Sequence, residues 1–287
     1  MQTVAITGAT GLLGSTLMFE LAARGFLPVA LKSDVREAQA LKDEVATVVP
    51  TWVVHTAAMT NVAECEKNPD AARAINGEGT VHVIDAARAV GARVIYISTA
   101  SVFKGDKGDY TEEDQPEPTN VYNQTKVEGE SAALRYERAM VLRLNLVGIH
   151  PNGSRGRNFL EWLVDTIGAN KDLTLFNDQR VNALSNWTIA RLIVQCIKRD
   201  IHESVLHIGT SDVVSKAGFA KLVLAHCPEY RGVVSEMSVD SIGDGAVRPK
   251  EMWLNTDKAS RLFGPMPTAA EEVELILSKA RAKVDKV

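Results

Sequence analysis

The feature that most constrains this chain is a glycine-spaced turn near its start, Thr7-Gly8-Ala9-Thr10-Gly11-Leu12-Leu13-Gly14. It stands between an apolar run and an amphipathic stretch. Thr3-Val4-Ala5-Ile6 reads as a buried strand, and residues 12–24 read as a helix that Gly25 is placed to stop. A strand that turns directly into a helix aims free backbone amides and the positive end of the helix dipole at one point. One glycine permits the tight turn, the next lets backbone approach a pyrophosphate, and the last lets helix pack on strand. The G-x-x-G-x-x-G spacing makes the first turn one residue longer than in G-x-G-x-x-G. Gly8, Thr10, Gly11, Leu12, Leu13 and Gly14 are therefore read as a dinucleotide-phosphate cradle.

Beyond the turn, short β-rich runs alternate with helical patterns, which predicts a parallel sheet covered on both faces. Strands are expected at residues 28–32, 52–55, 93–98 and 140–146. Helices are expected at about 36–49 (closed by Pro50), 70–89 and 122–138. Residues 104–120 form a polar loop with two prolines, and a structureless connection of that length in a compact domain is usually functional. Its three acids, Glu112-Glu113-Asp114, are most simply a solvated loop end. After residue 150 the pattern loosens into helices near 159–167, 188–199, 216–226 and 269–283, with strands at 173–176 and 205–208. The expected fold is α/β: a Rossmann-type, doubly wound parallel sheet in residues 1–150 and a smaller α/β substrate lobe in 151–287. The boundary is soft, with room for chain segments to interleave.

The bulk numbers exclude several classes of function. A chain of 287 residues with 45% hydrophobic and 24% charged residues can bury a full core. Its net charge of −4 gives no basic field to recruit nucleic acid or an anionic membrane. No apolar stretch approaches the roughly 20 residues of a membrane span. Cys65, Cys196 and Cys227 are distant from one another and in no C-x-x-C pair, so they read as reduced thiols, and a cytoplasmic location is expected. The histidines show no ligand spacing, and His55, on a buried strand, reads as a satisfied core histidine. The N-x-S/T matches at Asn123, Asn152 and Asn186 carry no meaning in such a compartment.

The chemistry is expected on the helix after that loop. Tyr122 and Lys126 stand four residues apart, hence on one helical face. Reducing a carbonyl requires a hydride to carbon and a proton to oxygen. Tyrosine, with an ordinary pKa of about 10, is a willing donor at neutral pH, and a nearby ammonium is expected to lower that value. Lys126 can also hold a nicotinamide ribose. Thr99 ends the 93–98 strand, where its hydroxyl can bond the reacting oxygen. These three are the candidate catalytic residues, with Thr99 also touching substrate.

With those residues in place, the sequence resembles the extended short-chain dehydrogenase/reductase family, most closely the dTDP-4-dehydrorhamnose reductase branch. Thr7–Gly14 is similar to the family's cofactor turn. His55-Thr56-Ala57-Ala58-Met59-Thr60, followed by Glu64 and Glu66, resembles the branch's segment along the cofactor. Asn76 matches an asparagine that supports the active-site strands. Ser98-Thr99…Val102-Phe103 and Tyr122…Lys126 with Glu128-Gly129-Glu130 carry the branch's signature. The resemblance implies cofactor contacts at Ala57, Ala58, Met59 and Asn76. It also implies substrate contacts at Ala100 and at Arg248, where a basic residue meets the diphosphate of a nucleotide-linked 4-keto-6-deoxy sugar. Three departures stand out: Ala100-Ser101 in place of Asp-Tyr, Asn123 where a glycine usually follows the tyrosine, and a shortened segment between Lys32 and Asp34 at the adenine pocket.

Cofactor choice is read at the end of the second strand, where NAD-specific enzymes usually carry an acid for the ribose hydroxyls. Here Lys32 and Ser33 stand there, with Asp34 and Val35 toward the adenine edge. NADP(H) is therefore the preferred expectation, with NAD(H) use also open. The sequence leaves two other functions standing: an NDP-sugar epimerase with retained NAD, and a non-catalytic NAD(P)-binding regulatory subunit. It also leaves a homodimer open.

Overall fold

The structure, a computed structural model, describes residues 1–151, 158–243 and 246–284; Asn152 of the second N-x-S/T match lies outside them. In the first half the elements run β1 (Thr3–Thr7), α1 (Leu12–Ala22), β2 (Leu27–Ala30), α2 (Ala38–Val48), β3 (Trp52–His55), α3 (Val62–Lys67) and α4 (Pro69–Arg73). A π turn, Ala74–Glu78, leads into α5 (Gly79–Ala89), β4 (Arg93–Ile97), α6 (Val121–Leu134) and β5 (Ala139–Arg143). Then follow β6 (Leu146–Val147), α7 (Phe159–Gly168), β7 (Leu173–Phe176), β8 (Arg180–Val181), β9 (Leu184–Ser185), α8 (Asn186–Lys198) and β10 (Val205–His207). The chain closes with β11 (Val214–Ser215), α9 (Lys216–Leu224), β12 (Val234–Met237), β13 (Glu251–Met252), α10 (Asp257–Phe263) and α11 (Ala269–Val284).

Six strands form one sheet in the order β10-β5-β4-β3-β1-β2, every pair parallel. The order reverses between β1 and β3, which opens a crevice at their carboxyl ends. Alternation along β1 explains the two layers. Val4 and Ile6 face a core shared with α1 and α8, while Ala5 faces the core of α2, α5 and α6. A third core, with Leu160, Leu163, Phe219, Val223 and Ile276, belongs to the second half and also takes in Phe103 and Tyr110.

The expected fold is present, and three local readings change. β10 and α8 come from beyond residue 150, so the chain crosses back to complete the first sheet. The single helix expected over 70–89 is broken by the π turn, which carries Asn76 inward, 1% exposed. The 104–120 loop is tied down: the Phe103 and Tyr110 rings stack at 4.2 Å, and Tyr110 bridges to Leu254. Within its acidic run, Glu112 accepts from the His207 amide at 3.0 Å, so that carboxylate holds a sheet edge. Asn123 and Asn186 are fully buried, which removes both as acceptors of surface sugar. Among the described residues no helix is long and apolar enough to cross a membrane.

Helix α6 lies against β4 because Gly129 has no side chain. A Cβ there would overlap the Tyr96 hydroxyl and stand 2.7 Å from the Asn76 carbonyl oxygen. Gly129→Ala should therefore destabilise the protein by about 1–3 kcal/mol, the usual cost of overpacking. Urea unfolding checks this, and an unchanged midpoint would show that α6 has slack.

Candidate active site

One cavity of about 670 Å³ opens at the crevice. Its lining joins Thr10–Gly14 of the glycine turn, Thr56, Ala58 and Thr60 after β3, and Ser98 and Thr99 after β4, with Tyr122 and Lys126 on α6. The second half closes it with Phe159, Val181, Lys216, Phe219 and Met252. The three catalytic candidates thus meet the glycine turn across one space.

Local chemistry sets each of them. Gly8 has φ +65°, and a Cβ would lie 2.7 Å from the Ala57 amide nitrogen, so the turn and the segment after β3 can touch only through glycine. α6 begins at Asn120, whose side chain accepts from the Asn123 amide at 2.9 Å, while Glu66 accepts from Val121 N at 2.8 Å. Both acceptors satisfy amides of the first turn, which fixes where Tyr122 enters the cavity. Asn76 donates to Thr125 Oγ1 at 3.0 Å, and its amide exchanges hydrogen bonds with Met59 N and O at 2.8 and 3.0 Å. Asn76 therefore clamps the segment after β3 to α6 and does not line the cavity.

Lys126 is 3% exposed; its ammonium donates to the Ile97 carbonyl at 2.8 Å and lies 4.2 Å from the centre of the Tyr96 ring. Burial drives its pKa down to about 7, against the field of Glu130 one turn further on. Burial likewise pushes Tyr122 up to about 12, only partly offset by the nearby Thr99 hydroxyl. This overturns the expectation that Lys126 lowers the tyrosine's pKa. The lysine proton is itself weakly held and turned toward Ile97, so desolvation wins at the phenol. Tyr122 therefore keeps its phenolic proton at neutral pH.

Behind the cavity lies a buried network that sequence reasoning missed. Ser98 donates to Glu130 Oε1 at 2.5 Å, and Arg143 reaches both Glu130 oxygens at 2.9 and 2.7 Å. Arg143 and His207 approach at 3.3 Å, and His207 Nδ1 meets the Tyr110 carbonyl at 2.9 Å. Burial, then the Arg143 charge, lowers His207 to about 3, so it stays neutral. Ser98 and Glu130 stood in the family signature, whereas Arg143 and His207 carried no sequence signal. His150 was missed too: its Nε2 meets the Thr10 carbonyl of the glycine turn at 2.8 Å.

The remaining candidates are placed unevenly. Ala57 and Met59 flank the cavity through backbone contacts, and Ala58 lines it. Ala100 is fully buried and offers no surface to substrate; Ser101 lines the cavity instead, its hydroxyl 3.2 Å from Met252 Sδ. Lys32 is exposed beyond the cavity, and Val35 packs against Gly79. Asp34 is paired with Arg36 at 2.6 Å, and that hydrogen bond holds its pKa down at about 2. Glu44 accepts from the amides of Lys32 and Ser33 at 2.8 and 2.9 Å. A carboxylate therefore does stand at the end of β2, supplied by α2. Arg248 donates to the Ala246 carbonyl at 3.1 Å and is not part of the cavity wall. His55 sits between Thr7 Oγ1 at 2.7 Å and Thr80 Oγ1 at 3.1 Å, lowered by burial to about 3, a core histidine as expected.

A reversing parallel sheet, a glycine turn at its crevice and a Tyr/Lys helix beside it define the class of extended short-chain dehydrogenase/reductase folds. The family model for the RmlD substrate binding domain matches residues 1–281, and the chain belongs to that family. It is 32% identical over 227 residues to a dTDP-4-dehydrorhamnose reductase of Sinorhizobium fredii, a match spanning 75% of each chain. It superimposes on a dTDP-4-dehydrorhamnose reductase of Bacillus anthracis in complex with NADP at TM-score 0.88 and 28% identity, over 97% of this chain and 100% of that one. A UDP-glucose 4-epimerase of Thermotoga maritima superimposes at TM-score 0.82 over 99% of this chain and 100% of the other, but at 18% identity that likeness shows the fold alone.

The buried lysine makes a prediction for stability. Lys126 titrates near 7 when folded and near 10.5 when unfolded. Between those values the unfolded chain binds the extra proton, so this group makes stability rise with pH; below about 7 its cost is fully present. Tyr122, raised from 10 to about 12, acts only above pH 10, where it lowers stability. Lys126→Met should therefore flatten the gain between pH 7 and 9.5 by up to about 1.4 kcal/mol per pH unit, one proton's worth. Urea unfolding across that range is the measurement; parallel curves for both proteins would refute a neutralised Lys126.

Proposed function

We propose that this chain is an NADPH-dependent reductase of a nucleotide-linked 4-keto-6-deoxy sugar, with Tyr122 as proton donor. The observation that carries the reading is the meeting of Thr99, Tyr122 and Lys126 in the same cavity as the glycine turn. The reductases of Sinorhizobium fredii and Bacillus anthracis support the reaction, and the latter's NADP complex supports the cofactor.

The residues fit a dinucleotide: the glycine turn Thr10–Gly14, Thr56 and Ala58 after β3, and Lys126 line one open cavity. Thr10–Gly14 hold its diphosphate at the start of α1, the segment after β3 lies along it, and Lys126 reaches its ribose. NADPH supplies the hydride to the carbonyl carbon when bound. Tyr122 gives its phenolic proton to the carbonyl oxygen, and Thr99 orients that oxygen. The tyrosinate left behind is stabilised by protonated Lys126, whose charge a bound diphosphate also favours. Residues 1–150 are thus the cofactor-bearing part, and residues beyond 150 shape the sugar-nucleotide side.

Tyr122→Phe should lower kcat by roughly two to four decades, the usual worth of a positioned proton donor, with NADPH affinity nearly intact. Reduction of nucleotide-linked keto sugars, followed by NADPH absorbance, is the assay. Wild-type turnover in the variant would end this mechanism, and tightly retained NAD in the purified protein would turn the reading toward an epimerase.

Lys32 stands exposed at the outer end of the cofactor site, while Arg36 is taken by Asp34 and Glu44 by the amides of Lys32 and Ser33. NADPH should bind about tenfold more tightly than NADH, the 1.4 kcal/mol of one modest charge contact. Lys32→Asp should reverse the order. Fluorescence titration with each nucleotide decides it, and equal wild-type affinities would remove Lys32 from the account.

A further inference from the structure

The substrate half of the cavity holds a lysine that the sequence reading passed over. Lys216 opens α9 and lines the cavity, with its ammonium 5.8 Å from the centres of both the Phe159 and Phe176 rings. No acid or carbonyl among the described residues takes a hydrogen bond from it, although its backbone amide donates to the Gln179 carbonyl at 3.1 Å. The nearby acids are engaged elsewhere. Asp178 holds Ser238, Val239 N and Lys250 at 2.5, 2.8 and 3.0 Å. Glu161, the one described carboxylate in the cavity wall, accepts from His150 N at 2.9 Å.

A desolvated ammonium without a counter-charge is unfavourable unless a ligand brings one. Burial, and then the charge of Arg248, lower its pKa to about 8, so the two cations stand in one field. The glycine turn and Lys126 serve the cofactor end, and the first-turn amides of α7 are already capped by Asn158 at 3.0 Å. Lys216 is then the free positive charge among the described residues of the cavity's other half. We propose that Lys216 receives the diphosphate of the nucleotide-linked substrate, with Arg248 adding a supporting field from outside the cavity wall. The role given to Arg248 on sequence grounds passes chiefly to Lys216. This inference rests on the nucleotide-sugar reading above.

Its test needs no turnover. Calorimetric titration with dTDP and with thymidine compares wild type, Lys216→Met and Lys216→Arg. Methionine keeps the apolar stem over the phenylalanine rings, so packing is largely preserved. Lys216→Met should weaken dTDP binding at least tenfold, leave thymidine and NADPH affinities within twofold, and be substantially restored by arginine. Unchanged dTDP affinity, an equal loss for thymidine, or no dTDP binding by the wild type would each overturn the proposal. Lys216-dependent dTDP binding in a protein that reduces no keto sugar would leave this inference standing while removing the proposed reaction. Reduction with an unchanged KM in Lys216→Met would do the reverse.

Discussion

The buried ion pair between Glu130 and Arg143 is the interaction on which the rest of the site depends. Both side chains are almost wholly removed from solvent, at 3% and 4% exposure. Two charges so placed are tolerated because every near neighbour answers them: Ser98 donates to the carboxylate, neutral His207 meets the guanidinium, and the Phe103 ring lies 5.0 Å away from it. Removing one member of such a pair typically costs about 3–5 kcal/mol, because the other is left buried and uncompensated. The pair joins the ends of β4, β5 and β10 to α6. Ser98 precedes Thr99, and Glu130 follows Lys126 by one turn, so a single electrostatic knot sets the position of both.

That knot also shapes the charge of the cavity. Lys126 and Lys216 both hold their protons less tightly than lysine in water, in each case chiefly through burial. An anionic ligand would favour their charged forms. Binding and protonation are therefore linked at the lysines, while burial keeps the phenol of Tyr122 protonated. A site arranged this way suits reduction, where the resting enzyme must offer an acid.

Two of the three departures from the family pattern lie just behind the cavity wall. Asn123 is buried beside Tyr122, with its Nδ2 3.4 Å from Thr119 and its Oδ1 without a partner. Ala100 is walled off behind Thr99, which leaves Ser101 and Met252 as this part of the cavity wall. Those two residues, with Leu146, make that wall less polar than an Asp-Tyr pair would.

How much was legible in the chain follows from the range of each interaction. The glycine turn, the alternating strands and helices, and the i, i+4 spacing of Tyr122 and Lys126 are local patterns set by backbone sterics and helical period, and the sequence by itself determined them. It also determined that Thr99 ends a central strand, because strand length is local. Tertiary structure alone decided that Val205–His207 completes the sheet, that Glu44 from α2 reaches the end of β2, and that Asn76 faces Met59 in place of a ligand. It alone brought Arg143 to Glu130 and left the Lys216 ammonium without a hydrogen-bond acceptor among the described residues. Burial and charge pairing join residues far apart in the chain, and the pKa values they produce depend on who arrives at each site. That is why the expected lowering of Tyr122 reversed: spacing predicts that a lysine is near, but only the packed interior decides whether it keeps its proton.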